Sequence, residues 1–276
     1  MKKWPLLLAV YFSICLLVAC AAAGNGAPVP GGAPSNEEQS GGESTQPAAV
    51  TTVCRVISND GSLLLAGMDG DPNIYTLTPE DDTNLAAGAL VEVTYDGTVL
   101  ESWPAQFSGV TAVNTARGGF DDRCALYLQV LEDLWEVDSG LNGDVTYIGV
   151  DLSRTSLSDS ERAAVAWAFA GRHGGELVTG TFDELAEQGY FTASPISTPA
   201  PEEGEPIPRA WYQWEDGILF SITEKEMEGV YSLTPVTFDA EKWRSGLGAY
   251  FFFDCTSVQT AGGHWDGYTI GGEAIS

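Results

Sequence analysis

Positive charge is what this chain lacks most: across 276 residues, 12 Lys and Arg stand against 39 Asp and Glu, a formal net charge of −27. Such a surface repels phosphate backbones and anionic headgroups, so no nucleic-acid partner and no direct electrostatic membrane contact are expected. Histidine is nearly missing, with two residues, and cysteine is scarce, with five. That leaves little material for metal or thiol chemistry. Charged residues are only 18% and hydrophobic residues 44%, which excludes a charge-rich disordered chain and allows a real core. No internal repeat, no cofactor-binding motif and no reaction signature is visible, so no cofactor is expected.

The N-terminus carries the strongest signal. Lys2 and Lys3 precede an uncharged apolar run over residues 5–19. That run is shorter than the roughly 20 residues a spanning helix needs, and the layout is that of a secretory signal. It ends in Leu17-Val18-Ala19-Cys20, which resembles the bacterial lipobox. The resemblance implies a signal peptide over residues 1–19 and an acylated Cys20 that holds the protein to the outer face of the membrane, where two acyl chains are enough for stable anchoring. Residues 20–50 lack aromatics and apolar periodicity and read as a tether, with an r.m.s. span of about 30 Å if coil-like. Residues 193–209 share that composition and read as a long exposed loop.

Residues 51–115 read as a small β-barrel-like domain. Short β-prone runs at 53–58, 62–66, 74–78, 89–95 and 99–102 are separated by Asn59-Asp60-Gly61, Asp69-Gly70-Asp71-Pro72-Asn73 and Asp96-Gly97. Asp-Gly between such runs is a strong hairpin signal, because glycine reaches positive φ without a Cβ penalty. The stretch GALVEVTYDGTVLESWPAQFSGVTAV is similar to a small β-barrel domain of unknown function found in secreted and lipid-anchored Gram-positive proteins; the likeness brings no activity with it.

Residues 120–276 read as an α+β domain. Asp121 or Asp122 can cap a helix with Cys124, Tyr127, Leu128, Leu131, Leu134 and Trp135 on one stripe. Ser158-Asp159-Ser160-Glu161 and Thr181-Phe182-Asp183-Glu184 match the capping box. The first opens a helix that should stop at His173-Gly174-Gly175, and the second opens a short helix that Gly189 should end. Strands are expected at 145–151, 176–179, 217–223, 231–238 and 249–258, a helical turn at 240–244, and a hairpin turning at Trp265-Asp266-Gly267. Helices on an antiparallel sheet in this order share the outline of cystatin-like or nuclear-transport-factor-like folds. The ending YFFFDCTSVQTAGGHWDGYTIGGEAIS resembles the C-terminal halves of uncharacterised lipoproteins from Gram-positive gut anaerobes.

Few residues offer chemistry. Cys54, Cys124 and Cys255 make an odd count in the folded part; Cys124 and Cys255 are the only intradomain pair, and buried free thiols are the simpler reading. His173-Gly174-Gly175-Glu176 resembles the His-x-x-Glu pair of zinc carboxypeptidases, with His264 available as a third ligand. A histidine before two glycines also suits a helix end, so no metal is expected. Asp69-Gly70-Asp71 and Asp81-Asp82 lack the ligand spacing of an EF-hand and read as turns. Aromatics remain. Trp211, Tyr212 and Trp214 follow the exposed loop, and Trp265 and Tyr268 sit in the last hairpin; together they are the expected ligand-binding surface.

The expectation is therefore a lipid-anchored, extracytoplasmic, non-catalytic binding or envelope-accessory protein with a neutral or cationic ligand. The alternatives are a cell-surface hydrolase using His173, Glu176 and His264, and a ligand-sensing subunit with an apolar pocket of roughly 300 Å³ or more.

Overall fold

A computed structural model describes residues 48–78, 85–193, 208–225 and 235–276. The expected signal peptide, Cys20, nearly all of the tether, Asp81-Asp82 and most of the 193–209 loop lie outside them. Among the described residues no helix is long and apolar enough to cross a membrane.

The first sheet is built from β1 (Val50–Asn59), β2 (Leu63–Gly67), β3 (Ile74–Leu77), β4 (Leu90–Tyr95), β5 (Val99–Leu100), β6 (Ala105–Phe107) and β7 (Ala112–Thr115). Its order is β5-β6-β3-β2-β1-β4-β7, with β3 and β6 parallel. This is an open path, not a closed ring of strands. The ribbon nevertheless curls, because β4 and β5 lie far apart in that order yet only residues 96–98 separate them. The Asp96 N–H donates to the Ser108 carbonyl at 3.3 Å, and the Ser108 N–H to that of Thr98 at 3.0 Å. Gly61 and Gly97 hold φ of 90° and 89° in their turns, the conformation that Asp-Gly predicts.

Alternation along β2 explains why all of Leu63, Leu64, Leu65 and Ala66 are buried. Leu63 and Leu65 face the inside of the curl with Cys54, Val56, Tyr75, Val91, Val93 and Phe107. Leu64 and Ala66, with Ile57 and Ile74, face outward into a second core. That core belongs to α1 (Arg123–Glu136), β8 (Tyr147–Arg154) and α2 (Asp159–His173). Residues 46–276 form one compact unit, and the boundary expected near 115–120 runs through shared packing.

The second sheet adds β9 (Glu176–Thr179), α3 (Phe182–Glu187), β10 (Thr192–Ala193), β11 (Tyr212–Gln213), β12 (Gly217–Glu224), β13 (Pro235–Ser245), β14 (Gly248–Val258) and β15 (Gly272–Ile275). Its order is β10-β11-β13-β12-β8-β9, and β14 pairs with β13 and β15. The run from β12 to β15 is antiparallel, as expected. However, β8 pairs in parallel with both β9 and β12. The sheet is therefore mixed, because α2 provides the long crossover that a parallel pair requires.

Both capping boxes form: the Ser158 and Thr181 hydroxyls accept from the Glu161 and Glu184 N–H groups, and each glutamate reaches back to its cap residue's N–H. Gly174 ends α2 at φ 68°, in the left-handed region. The helical turn expected at 240–244 is not formed. Ala240 faces the α1/α2 core and Trp243 the opposite face, a period of two that makes these residues the middle of β13.

Candidate functional site

The two faces of the second sheet separate the expected aromatic surface. Trp265 is 6% exposed and packs on the α1 side, its indole N–H donating to Asp121 Oδ1 at 2.8 Å. Its backbone N–H donates to Asp122 Oδ1 at 2.7 Å, and the Arg123 guanidinium lies 4.6 Å above its ring. Tyr268 is partly buried on the same side and donates to Asp133 Oδ2 at 2.8 Å. Trp214 is 1% exposed and lies on the opposite, α3 side. A Cβ on Gly217 would fall 2.0 Å from Trp214 Cε2, and one on Gly149 would fall 2.8 Å from Cζ3. These two glycines, on adjacent strands, make the slot for the indole. Trp214 and Trp265 are thus core residues, and the five aromatics form no common exposed face. Polar indole tips did not keep them outside, because each ring found an apolar slot or a carboxylate to bond. Trp211 and Tyr212 remain partly exposed.

The α3 side holds an aromatic cluster of Phe182, Tyr190, Phe191, Tyr212, Trp214 and Trp243. A cavity of about 230 Å³ opens at its margin, lined by Arg209, Ala210, Glu241, Trp243, Ser245, Gly246, Ala249, Phe251 and Ser276. Strand register explains the lining. Glu241, Trp243 and Ser245 alternate along β13, and Glu241 and Trp243 lie opposite Phe251 and Ala249 of β14. The short 3-10 segment Arg209–Trp211 crosses above them. It comes close because residue 246 is glycine: a Cβ there would meet the Ala210 carbonyl oxygen at 1.8 Å.

Glu241 is the unusual group in this cavity. Its side chain is 14% exposed and pairs with Arg209, Oε2 to Nη2, at 2.7 Å. Among the described residues no hydrogen bond reaches its Oε1. Burial pushes the carboxyl above the usual carboxylate range, with Arg209 pulling the other way. The Arg209 guanidinium stands 4.6 Å from the Phe182 ring centroid and 5.6 Å from that of Trp243. A carboxylate floor with aromatic walls is a cation-binding chemistry. The sequence hinted at this region through Trp211 and Tyr212 but not at Glu241, since one glutamate among 39 acidic residues carries no signal of its own.

Two other clefts flank the start of α2, of about 220 and 350 Å³. Much of their polar lining is already engaged. Arg162 donates to the Leu157 carbonyl and to Asp159, and Ser160 donates to the Gly67 carbonyl at 2.6 Å. Asp71 accepts from Asn73 at 2.7 Å and from the Tyr75 hydroxyl at 2.6 Å, which is turn chemistry. These clefts read as the seam between the first sheet and α2.

The residues of the hydrolase alternative do not converge. His173 Nε2 lies 2.8 Å from Glu132 and its ring stacks on Trp135 at 3.9 Å. His264 Nδ1 lies 3.1 Å from Asp122 and its ring 4.2 Å from Phe120. Asp122 stands at the N-cap position of α1, without a side-chain cap hydrogen bond, and Glu132 lies in its last turns, so at 1.5 Å per residue the two partners are about 15 Å apart. Glu176 is exposed. Among the described residues no group of three His, Cys, Asp or Glu side chains is placed to hold a metal ion.

Cys54, Cys124 and Cys255 are free and buried. Burial pushes the thiols of Cys54 and Cys255 up to about 12 and that of Cys124 up as well, the reverse of what a nucleophilic thiolate needs. No family model matches this chain, and no curated protein or solved structure matches it.

Proposed function

We propose that this protein is an extracytoplasmic lipoprotein whose folded body is a non-catalytic binding or envelope-accessory module. The observation that carries the reading is Leu17-Val18-Ala19-Cys20 at the end of an uncharged apolar run. Acylated Cys20 anchors the chain to the membrane, and residues 20–50 hold the body away from the headgroups. The ligand is neutral or cationic, in keeping with the charge of −27. The carboxylate of Glu241, paired with Arg209, and its aromatic neighbours support a binding role. The finer fold reading belongs to the same proposal: a barrel-like curl in the first sheet, and α1 and α2 against the second in the manner of cystatin-like or nuclear-transport-factor-like folds.

Growth with labelled palmitate tests the anchor. The wild-type chain should take up label and fractionate with membranes, and Cys20→Ser should lose the label and either leave the membrane or accumulate as precursor. Normal processing and membrane retention in Cys20→Ser would refute the lipobox reading.

A further inference from the structure

We infer that the Glu241 cavity is a binding site for one alkylguanidinium or alkylammonium group, and that Arg209 is the chain's own occupant of that site, displaced when ligand binds. The inference deepens the binding-module reading and takes its ligand class from it, but it does not depend on the anchor.

The geometry separates a fixed receptor from a removable cation. Glu241 and Trp243 lie on β13, held between β12 and β14 by continuous ladders. Arg209 lies instead on a three-residue 3-10 segment, so its side chain can leave without opening a ladder. Exposure follows the same division: the Arg209 side chain is 43% exposed against 14% for Glu241. The cation is at the mouth and the carboxylate is the floor.

Arg209 and Glu241 border an open groove rather than sitting under packed neighbours. Here about 230 Å³ adjoins the pair, below the roughly 300 Å³ at which pockets for drug-sized ligands begin. One long basic side chain or one small amine fits that scale. The wall chemistry selects a cation: Trp243 offers a ring face, Ser245 a hydroxyl, and Glu241 Oε1 is an acceptor without a donor among the described residues. An anion would meet Glu241, and a neutral apolar group would leave the carboxylate buried and unpaired once Arg209 moved.

The test is calorimetric titration of the purified full chain in detergent with n-butylguanidinium, n-butylammonium and neutral n-butyramide, near 20 mM salt. Wild type should bind the two cations and not the amide. Arg209→Ala should bind butylguanidinium at least tenfold more tightly, because the internal competitor is gone, and Glu241→Gln should bind at least tenfold more weakly. Thermal unfolding gives a second readout if Arg209→Ala is destabilised. Millimolar butylguanidinium should raise the Tm of Arg209→Ala by more than that of wild type, and leave Glu241→Gln unchanged. A blocked pentapeptide with one arginine separates the sources: equal or tighter binding than butylguanidinium assigns a peptide side chain, and binding of the small cations alone assigns a free amine.

Equal affinity in wild type and Arg209→Ala, or binding that survives Glu241→Gln, would overturn the inference. Neither result would affect the palmitate experiment. Conversely, a soluble, unlabelled protein that still bound butylguanidinium through Glu241 would refute the anchor and leave the site standing.

Discussion

Arg55 of β1 and Glu161 of α2 meet at 2.8 Å across the seam between the first sheet and the helices, both side chains nearly buried. The Arg55 guanidinium also donates to the Gly88 carbonyl at 2.9 Å and to that of Asp121 at 3.3 Å. Glu161 is meanwhile the far end of the α2 capping box. One ion pair therefore joins a strand, two loops and a helix start.

From this seam we expect one cooperative unfolding transition. Breaking a buried pair by removing one partner costs about 3–5 kcal/mol, so Arg55→Met should lower the unfolding free energy by about that amount, read as a lower urea midpoint at unchanged m-value. Glu161→Gln should lose less, since the amide can still serve the cap. Separate near-ultraviolet and far-ultraviolet transitions in the wild type would mean that the two sheets unfold independently.

Gly217→Ala should destabilise through Trp214, whose Cε2 would lie 2.0 Å from the new methyl group. Overpacking of this kind costs about 1–3 kcal/mol. In a Trp214→Leu background the same substitution should cost markedly less, because residues in contact are non-additive. Equal losses in both backgrounds, measured by chemical denaturation, would show that Trp214 does not fill the slot.

His173 and His264 should act independently. Each is held by a different carboxylate, Glu132 or Asp122, and by a different aromatic ring. The stability losses of His173→Ala and His264→Ala should therefore add within about 0.5 kcal/mol. A large coupling, with zinc retained by wild type after dialysis, would restore the metal reading.

Alkaline pH should destabilise the protein. The folded state keeps the protons of Cys54 and Cys255 until about 12, whereas an unfolded thiol loses its proton near 8.5. Between those values the native state binds more protons, so stability falls as pH rises. Cys124 and the tyrosines Tyr75, Tyr127 and Tyr268 are shifted upward too and act in the same direction.

Lys242 opposes this trend. Its ammonium donates to the carbonyls of Trp135, Val137 and Asp138, but burial brings its pKa down to about 8 against roughly 10.4 unfolded. It adds stability between those values. Lys242 alone against seven acidic groups, Tyr250 included, and against Lys225, whose ion pairs hold its pKa up, should leave Tm nearly level from pH 8 to 9 and falling steeply above 10. Cys54→Ala and Cys255→Ala should flatten the steep limb; an unchanged limb in both would remove the thiols as its cause.

Local signals proved sufficient for much of the fold. Both capping boxes, the left-handed Gly174 and the Asp-Gly turns depend on residues at most three apart, and all are formed. The strands expected at 145–151, 217–223 and 249–258 were legible for the same reason, whereas the second half of β13 and the whole of β15 were not. The parallel pairing of β8 with β12 was not, since it joins segments some 70 residues apart in the chain.

What the sequence determined by itself was composition, charge and the local elements, because each rests on single residues or on neighbours in the chain. Only the tertiary structure decided the fate of individual side chains. Trp214 and Trp265 look alike in sequence, yet one sits against Gly149 and Gly217 on the α3 face and the other against Asp121 on the α1 face. Glu241 became singular only when the register of β13 and β14 set it beside Trp243 and Phe251 under Arg209. Burial, and with it the strength of a charge, depends on which distant segments remove water, and no local pattern encodes that.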